Sequence, residues 1–235
     1  MNNAATGSAN NKAWRYMSFS KFVWTIQKKC LWLSRANLLG DPWEISLSGE
    51  QLQLVIDRRS ISPIGEPPRE TATEKAERII NLWRNKSFIN CWNMSAHESN
   101  ALWQIYCKNA DGVVLQTTIE KLELIKGLYS LHPVTYPIPG SNKKTPTHND
   151  LITKKRPMFK YEEEIRIVHF DENDEIDKTS GLKLEFDFEK LIDSVRIHPQ
   201  ADSVFFETVQ SIVEKYAPDF QGKVRWSDMK LDPPF

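Results

Sequence analysis

Three consecutive glutamates and a nearby arginine mark the stretch of this chain best suited to chemistry, FKYEEEIRIV at residues 159–168. Alternate residues of a β-strand share a face, so Glu162, Glu164 and Arg166 would lie together. Glu163 would share the opposite, core-facing side with the two isoleucines. The first face is either a solvated ladder of opposite charges or the wall of a polar cleft, and charge runs are more often solvated. In a cleft, paired carboxylates could perform acid–base chemistry.

Other carboxylates and one lysine offer further chemistry. In the turn GDPWE, Asp41 and Glu44 could bind Mg²⁺, although a turn aspartate often accepts a hydrogen bond from its own backbone. Ser95 and Glu98 have the S-x-x-E spacing of a helix capping box, which explains Glu98 without catalysis. Lys155, in the basic run TKKRP, is either solvated or placed to contact phosphate.

Composition narrows the class of protein. Lysine plus arginine and aspartate plus glutamate both number 31, so no global field attracts nucleic acid or an anionic membrane. The three cysteines have no CxxC spacing and the five histidines no HxH or HxxxH spacing, so no metal site of these residues is expected. Phosphate-loop, dinucleotide-fold and hydrolase-elbow motifs are absent. No apolar run approaches the ~20 residues that span a bilayer, so a cytoplasmic protein without a membrane partner is expected.

Periodicity predicts how the chain is organised. A flexible polar tail at 1–13 precedes a single globular domain at 14–235, and the polar stretch 137–157 is expected to be a mobile loop. Strands are predicted at 14–17, 30–34, 88–92, 112–118, 162–168, 182–188, 195–199 and 223–227. Helices are predicted at 18–29, 51–59, 72–85, 95–109, 119–130, 188–193 and 203–217. Because long apolar parallel strands are missing, the pattern favours an α+β fold with mostly antiparallel sheets and packed helices.

Four blocks in order resemble one family, the bacterial domain of unknown function 2971 family. They are WRYMSFSKFVWTIQKKCLWLSRANLLGDPWE, NCWNMSAHESNALWQIY with GVVLQTT, KKRPMFKYEEEIRIV, and the ending LIDSVRIHPQADSVFFETV with VRWSDMK. The resemblance covers nearly the whole chain from about Trp14. One departure concerns the residue after the D-P-x-E turn. Members of the family commonly have glycine at this position, whereas this chain has Ile45.

The order of elements is also similar to ADP-ribosyltransferases, more distantly: an aromatic and basic strand, a helix, a strand ending in serine, and a late strand with E-x-E. This resemblance implies a split-sheet core and NAD as substrate. Arg15 or Tyr16 would hold NAD, Trp14 or Tyr16 would stack on nicotinamide, and Ser34 would support the pocket. Glu164 would be the catalytic acid, Glu162 would orient the acceptor or take its proton, and Arg166 would neutralise the cluster.

These resemblances imply an NAD-consuming ADP-ribosyltransferase or NAD glycohydrolase, acting in bacterial conflict or phage defence on a nucleic acid or protein acceptor. Two alternatives remain open. A metal-dependent nuclease would use Lys155 on phosphate and carboxylates from the set Asp41, Glu44, Glu98, Glu162 and Glu164. A sensor that binds a small molecule without catalysis would use an aromatic pocket built from Trp14, Trp32, Trp92 and Trp103, although Trp103 could equally be a core residue.

Overall fold

A computed structural model describes residues 11–57, 70–125, 127, 129–138, 145–172 and 180–230. In chain order, strands β1 to β9 are Lys12–Ser18, Cys30–Arg35, Ser87–Met94, Gly112–Thr118, Ser130–Pro133, Glu164–Phe170, Gly181–Glu185, Ser194–Ile197 and Val224–Trp226. Helices α1 to α8 are Phe19–Lys28, Gly49–Asp57, Ala72–Lys86, Asn100–Tyr106, Ile119–Glu123, His148–Ile152, Phe188–Leu191 and Ser203–Tyr216. Short 3₁₀ helices span Ala36–Leu38, Pro157–Glu162, Pro218–Phe220 and Asp228–Lys230.

The strands form one sheet in the order β5-β6-β3-β1-β4-β8-β9, and β2 joins it by pairing with β3 and β7. Every pairing of these strands is antiparallel except β8 with β9. The predicted α+β fold with a mostly antiparallel sheet is therefore confirmed.

The sheet is split along one edge of β3, because two strands pair with different ends of that edge. Trp14 of β1 pairs with Asn93, and Ser34 of β2 pairs with Ile89. In the described chain, residues 90–92 have no strand partner on this edge, whereas β6 covers the other edge. Two arms, β1-β4-β8-β9 and β2-β7, consequently diverge from β3 and leave a gap between them.

Alternation along β3 and β6 divides the core between the two faces of the sheet. On one face, Ile165 and Ile167 join Phe88 in the largest apolar cluster, which also includes Phe22 and Ile26 of α1. On the other face, Ile89 and Val168 pack with Leu151 and Ile152 of α6 in a smaller cluster. Between that cluster and a third one around Trp14, Tyr16 and Trp103 lies a patch of buried polar residues.

Helix α4 corrects the capping box predicted from Ser95 and Glu98. The helix begins at Asn100, and the Ser99 side chain caps it by accepting the Leu102 N–H at 3.4 Å. Glu98 instead accepts hydrogen bonds from the Trp103 indole at 3.0 Å and the Ser227 hydroxyl at 2.5 Å. The hydrogen bonds of Glu98 to Trp103 and Ser227 thus replace the capping box that the spacing of Ser95 and Glu98 predicted.

Strand β6 corrects the alternation assumed for the three glutamates. The strand begins at Glu164, while Glu162 ends the preceding 3₁₀ helix and Glu163 has a left-handed φ of 38°. Glu163 is exposed and does not share the core-facing side with the isoleucines. The predicted face therefore holds for Glu164 and Arg166 but not for Glu162.

Three other predicted boundaries differ from the structure. Residues 1–10 of the predicted tail lie outside the described residues, but Lys12 and Ala13 belong to β1. The stretch 137–157 contains α6, and Lys154 forms a parallel bridge with Thr135, so its described part is not an open loop. Helix α5 ends at Glu123, short of the predicted end at residue 130.

None of the helices in the described ranges has both the length and the apolar character needed to cross a membrane.

Candidate active site

The gap between the two arms of the sheet opens into a cleft of about 240 Å³. Its walls bring together residues separated by as many as 150 positions in the chain. Six predicted site residues line it, namely Trp14, Arg15, Tyr16, Ser34, Glu162 and Glu164. The remaining six (Asp41, Glu44, Glu98, Trp103, Lys155 and Arg166) do not, although Glu44, Lys155 and Arg166 contact the carboxylates at its end.

Arg15 bridges the gap in the sheet. Its guanidinium donates a hydrogen bond to the Cys91 carbonyl, at the centre of the unpaired stretch of β3. Asn90 makes a second bridge from its side-chain amide to the Trp32 carbonyl at 2.8 Å. The two side chains thus replace missing rungs of the strand ladder, and Arg15 places a positive charge beside the cleft.

Arg166 holds Glu164 at the end of the cleft. The Arg166 side chain is fully buried, and its Nε and Nη2 donate to the two carboxylate oxygens of Glu164, each at 3.1 Å. Nη2 also donates to Glu44 at 2.5 Å, and Nη1 to the Ile152 carbonyl at 2.7 Å. This fork geometry fixes the carboxylate more firmly than a lysine would.

Lys155 ties the second carboxylate to the first. Its side chain is only 9% exposed, and its Nζ lies 2.5 Å from Glu162, 3.3 Å from Glu164 and 3.6 Å from Glu44. Three carboxylates thus surround two buried cations. The prediction that Lys155 is solvated is wrong, because carboxylates surround its buried ammonium group.

Two left-handed residues shape this cluster. With Glu163 at φ 38°, Glu162 and Glu164 both turn inward although Glu162 precedes the strand. Ile45, which follows Glu44, has φ 50° and is buried. A β-branched residue is strained in this conformation, which glycine would adopt without strain. Backbone strain of this kind is concentrated at functional sites in proteins.

The environment gives the two carboxyls different proton affinities. Burial raises the pKa of Glu162 above its ordinary value, despite the adjacent Lys155 ammonium. Burial also favours the neutral form of Glu164, but Arg166 and Lys155 outweigh it and hold the pKa of this carboxyl below its ordinary value. When the pKa values of two neighbouring carboxyls are shifted in opposite directions, one carboxylate can stabilise positive charge while the other accepts a proton.

Two buried polar atoms beside the cleft have no hydrogen-bond partner in the described structure, the Asn93 side-chain oxygen and the Trp92 indole nitrogen. Both residues line the cleft and are almost fully buried. Leaving such atoms unpaired costs free energy, so they are suited to bind polar groups of a ligand.

A second cavity of about 410 Å³ meets the cleft at four shared residues, including Arg15 and Ser34. Trp24 and Trp32 line it, with their rings edge to face at 5.8 Å between centroids. Lys21 contributes to both spaces. Together the cleft and this cavity offer aromatic and cationic walls.

Trp14 and Tyr16 are more deeply packed than predicted. Trp14 is 2% exposed and donates from its indole to the Ser95 carbonyl at 2.7 Å. The Tyr16 hydroxyl accepts the Ser99 N–H at 2.6 Å, and its ring packs edge to face on Trp103. Trp103 is a core residue of this cluster and does not line the cleft. Of the three β1 residues proposed to bind NAD, Arg15 is the one whose side chain has further N–H groups to donate to a ligand, besides its bond to the Cys91 carbonyl.

Two other predicted carboxylates lie outside the cleft. Asp41 accepts the Trp43 N–H at 3.1 Å, as a turn aspartate is expected to do, and forms a two-bonded pair with Arg156. Glu98 binds the Trp103 indole. Of the five carboxylates considered for a nuclease, only Glu44, Glu162 and Glu164 converge, and they do so around Lys155 and Arg166. The described residues contain no group of three or more His, Cys, Asp or Glu arranged to hold a metal ion.

Among the polar residues that line the cleft, sequence reasoning missed four, namely Lys21, Cys91, Asn93 and Tyr106. The Cys91 thiol hydrogen-bonds Glu164, and burial, helped by this carboxylate, raises the thiol pKa well above its ordinary value. In the register of the sheet, Cys91 lies opposite Arg166 and Asn93 opposite Glu164. The available signal was the pair of asparagines, Asn90 and Asn93, within a mostly apolar strand, but their pairing partners could not be read from the sequence.

No family model and no curated protein matches this chain. Among solved structures, it is similar to Thermus sp. 2.9 DarT in complex with NAD+, at 8% identity and a TM-score of 0.47, over 97% of this chain and 100% of that one. It is also similar to the complex with carba-NAD+ (8%, 0.44, 95% and 98%) and the complex with ADP-ribosylated ssDNA (10%, 0.43, 96% and 97%). Likeness at this level transfers no residue roles.

Proposed function

We propose that this chain is an NAD-using enzyme that breaks the bond between nicotinamide and ribose and transfers ADP-ribose to an acceptor or to water. The observation that carries the proposal is the convergence of Arg15, Ser34, Glu162 and Glu164 in one cleft at the split of the sheet. These are residues that the ADP-ribosyltransferase resemblance assigns to NAD binding and catalysis. Their positions are scattered along the chain, so their meeting at one place is a substantial coincidence for an unrelated fold.

The two carboxyls suit the charge changes of this reaction. NAD supplies the ADP-ribosyl group, and nicotinamide leaves with the electron pair of the broken bond. Glu164, held ionised by Arg166, stabilises the positive charge that develops on the ribose. Glu162 accepts the proton of the attacking hydroxyl or water, whose oxygen forms the new bond to the ribose carbon. A raised pKa for Glu162 matches this role, because a proton acceptor works best near the operating pH.

The cleft offers complementary groups for the rest of NAD. The unpartnered Asn93 oxygen can accept a hydrogen bond from the N–H of a carboxamide. Arg15 and Lys21 provide positive charge for the pyrophosphate. The aromatic wall of the adjoining cavity, which includes Trp24, can receive a planar base.

Nicotinamide release from NAD+ tests the proposal. The wild type should release nicotinamide in the presence of a suitable acceptor or water. Glu164→Gln, which keeps the side-chain shape, should lower the rate by about a hundredfold or more, since one electrostatic stabiliser typically contributes that much. Glu163→Gln is the matched control, because the neighbouring glutamate is exposed and outside the cleft. It should retain nearly full activity.

Two results would contradict the enzymatic proposal. One is no nicotinamide release by a folded wild-type protein with water, cell extract, protein and nucleic acid acceptors. The other is equal activity in the two glutamine variants. Far-UV circular dichroism and thermal unfolding of each variant separate loss of catalysis from loss of folding.

A second function, binding of NAD+ without catalysis, is favoured by the number of hydrogen bonds that Glu164 accepts. Both of its oxygens already accept bonds from Arg166, and one also accepts from Lys155. Such neutralisation weakens its stabilisation of a nearby cation. A sensor would bind NAD+ in the same cleft without turnover. Calorimetric binding of NAD+ without nicotinamide release would support this alternative.

The acceptor and the biological setting follow from resemblance. The similarity to the DarT complexes suggests single-stranded DNA as one acceptor to include beside proteins. A role in bacterial conflict or phage defence is the setting that we infer from the more distant resemblance to ADP-ribosyltransferases. Label transfer from radiolabelled NAD+ to each acceptor, compared between wild type and Glu164→Gln, distinguishes transfer from hydrolysis.

A further inference from the structure

A separate cavity of about 400 Å³ lies on the far side of Lys155 and shares no lining residue with the cleft. Apolar side chains form most of its wall, including Ile45, Leu47 and Leu151. Trp43 stands at its edge with 60% of its surface exposed. The volume falls within the range of small-molecule sites, which are concave and mostly apolar with a few polar groups.

One cation in this cavity lacks an acidic partner. Lys154 is half-buried, and among the described residues its Nζ has a single hydrogen bond, a long one of 3.4 Å to the Gln51 side-chain oxygen. That oxygen also accepts the Ser48 N–H at 3.0 Å. Within the described chain, no carboxylate lies within 4.0 Å of the Lys154 ammonium group. The neighbouring cations differ, because Lys155 binds the acidic cluster and Arg156 binds Asp41.

We propose that this cavity binds a small molecule with a flat apolar body and one anionic group. The anionic group pairs with Lys154, since a partly buried ammonium gains most from a counter-charge when its surroundings are apolar. The apolar body packs on Leu47 and Leu151 and against the ring of Trp43. Arg156 stacks over that ring, 5.7 Å from its centroid, and steadies its orientation. With one unpaired cation, the site favours monoanions.

This site does not depend on the proposed NAD chemistry. Lys155 links it with the cleft, because this residue lines the cavity while its ammonium group contacts Glu162 and Glu164. Binding is therefore measured on the protein without NAD+, so that failure here and failure of the enzymatic proposal are distinct results.

Two matched probes test the proposal, naphthalene-2-carboxylate and the neutral naphthalene-2-carboxamide. Calorimetric titration of the wild type should show the carboxylate binding about tenfold more tightly, as expected for a charge-assisted hydrogen bond in a partly buried site. Lys154→Met keeps the apolar stem and should remove that preference. Lys160→Met is the control, because this exposed lysine lies outside the cavity and its loss should change neither affinity.

A cavity-filling variant tests the location. Leu47→Trp should weaken both probes together, whereas Lys154→Met should weaken only the carboxylate. The proposal is overturned if the folded wild type binds neither probe at millimolar concentration, or if it binds both equally. It is also overturned if Lys154→Met binds the carboxylate as tightly as the wild type.

Discussion

At the scale of residues, the acidic cluster depends on one change of backbone direction. Strand alternation predicts correctly that Glu164 and Arg166 share a face, because this rule needs only local geometry. It fails for Glu162, which reaches the same cluster through the left-handed Glu163. Nothing in the sequence EEE marks its middle residue for a positive φ, since glutamate rarely adopts one.

Arg166 should be the most sensitive single residue for stability. Replacing it with methionine leaves Glu44 and Glu164 buried beside too few cations, and breaking a buried ion pair costs about 3–5 kcal/mol. Urea unfolding should therefore show a large loss of unfolding free energy. Arg78→Met removes an exposed ion pair with Glu70 and should leave the unfolding midpoint nearly unchanged. Similar effects from both substitutions would contradict the buried network.

The lowered pKa of Glu164 predicts how stability depends on pH. A carboxyl whose pKa is lower in the folded state stabilises the fold above its unfolded pKa of about 4.3, and this contribution is lost as the pH falls through the folded value. The difference in unfolding free energy between wild type and Glu164→Gln should therefore be largest near neutral pH and shrink below pH 4. A difference that grows on acidification would show that the pKa is raised instead.

At the scale of elements, the sequence predicts where strands occur better than which strands pair. The strand at 112–118 matches β4 at both ends, because Gly112 opens an apolar run and a threonine-capped helix follows it. The start of helix α4 is predicted too early, because Glu98 forms hydrogen bonds with the Trp103 and Ser227 side chains and does not cap the helix. The split itself depends on two strands sharing one edge of β3, which no local pattern encodes.

Gly181 should be needed where the second arm meets the cleft wall. A Cβ atom there would lie 2.4 Å from the Trp32 ring and 2.5 Å from the Leu33 carbonyl. Gly181→Ala should therefore destabilise the protein by about 1–3 kcal/mol, as overpacking usually does. Gly40→Ala is the control, because a Cβ atom at that position meets nothing within 4 Å. Thermal unfolding of the two variants measures the difference.

At the scale of the whole molecule, contacts between distant segments determine the site. Glu44 and Arg166 are 122 positions apart, yet they form one of the shortest bonds of the acidic cluster. Strand alternation in the sequence predicted that Glu164 and Arg166 lie together, as they do. It could not indicate that Lys155 would stand among the carboxylates, because that requires α6 and the following 3₁₀ helix to pack beside β6.

The single domain predicted for residues 14–235 can be tested by its cooperativity. Both arms of the sheet are hydrogen-bonded to β3, so they should unfold together. Tryptophan fluorescence and far-UV circular dichroism should give coincident urea transitions. Separate transitions would mean that the arm containing β2 and β7 unfolds on its own.

The gap in the ladder at Cys91 also has a consequence for amide exchange. In an antiparallel strand, the N–H and carbonyl of a residue point to the same edge, so the Cys91 amide faces the cleft beside the carbonyl that Arg15 binds. Lacking a strand partner there, this hydrogen should exchange with deuterium faster than the paired amides of Ile89 and Asn93. Any molecule that fills the cleft should slow its exchange selectively, which makes one backbone hydrogen a built-in reporter of occupancy.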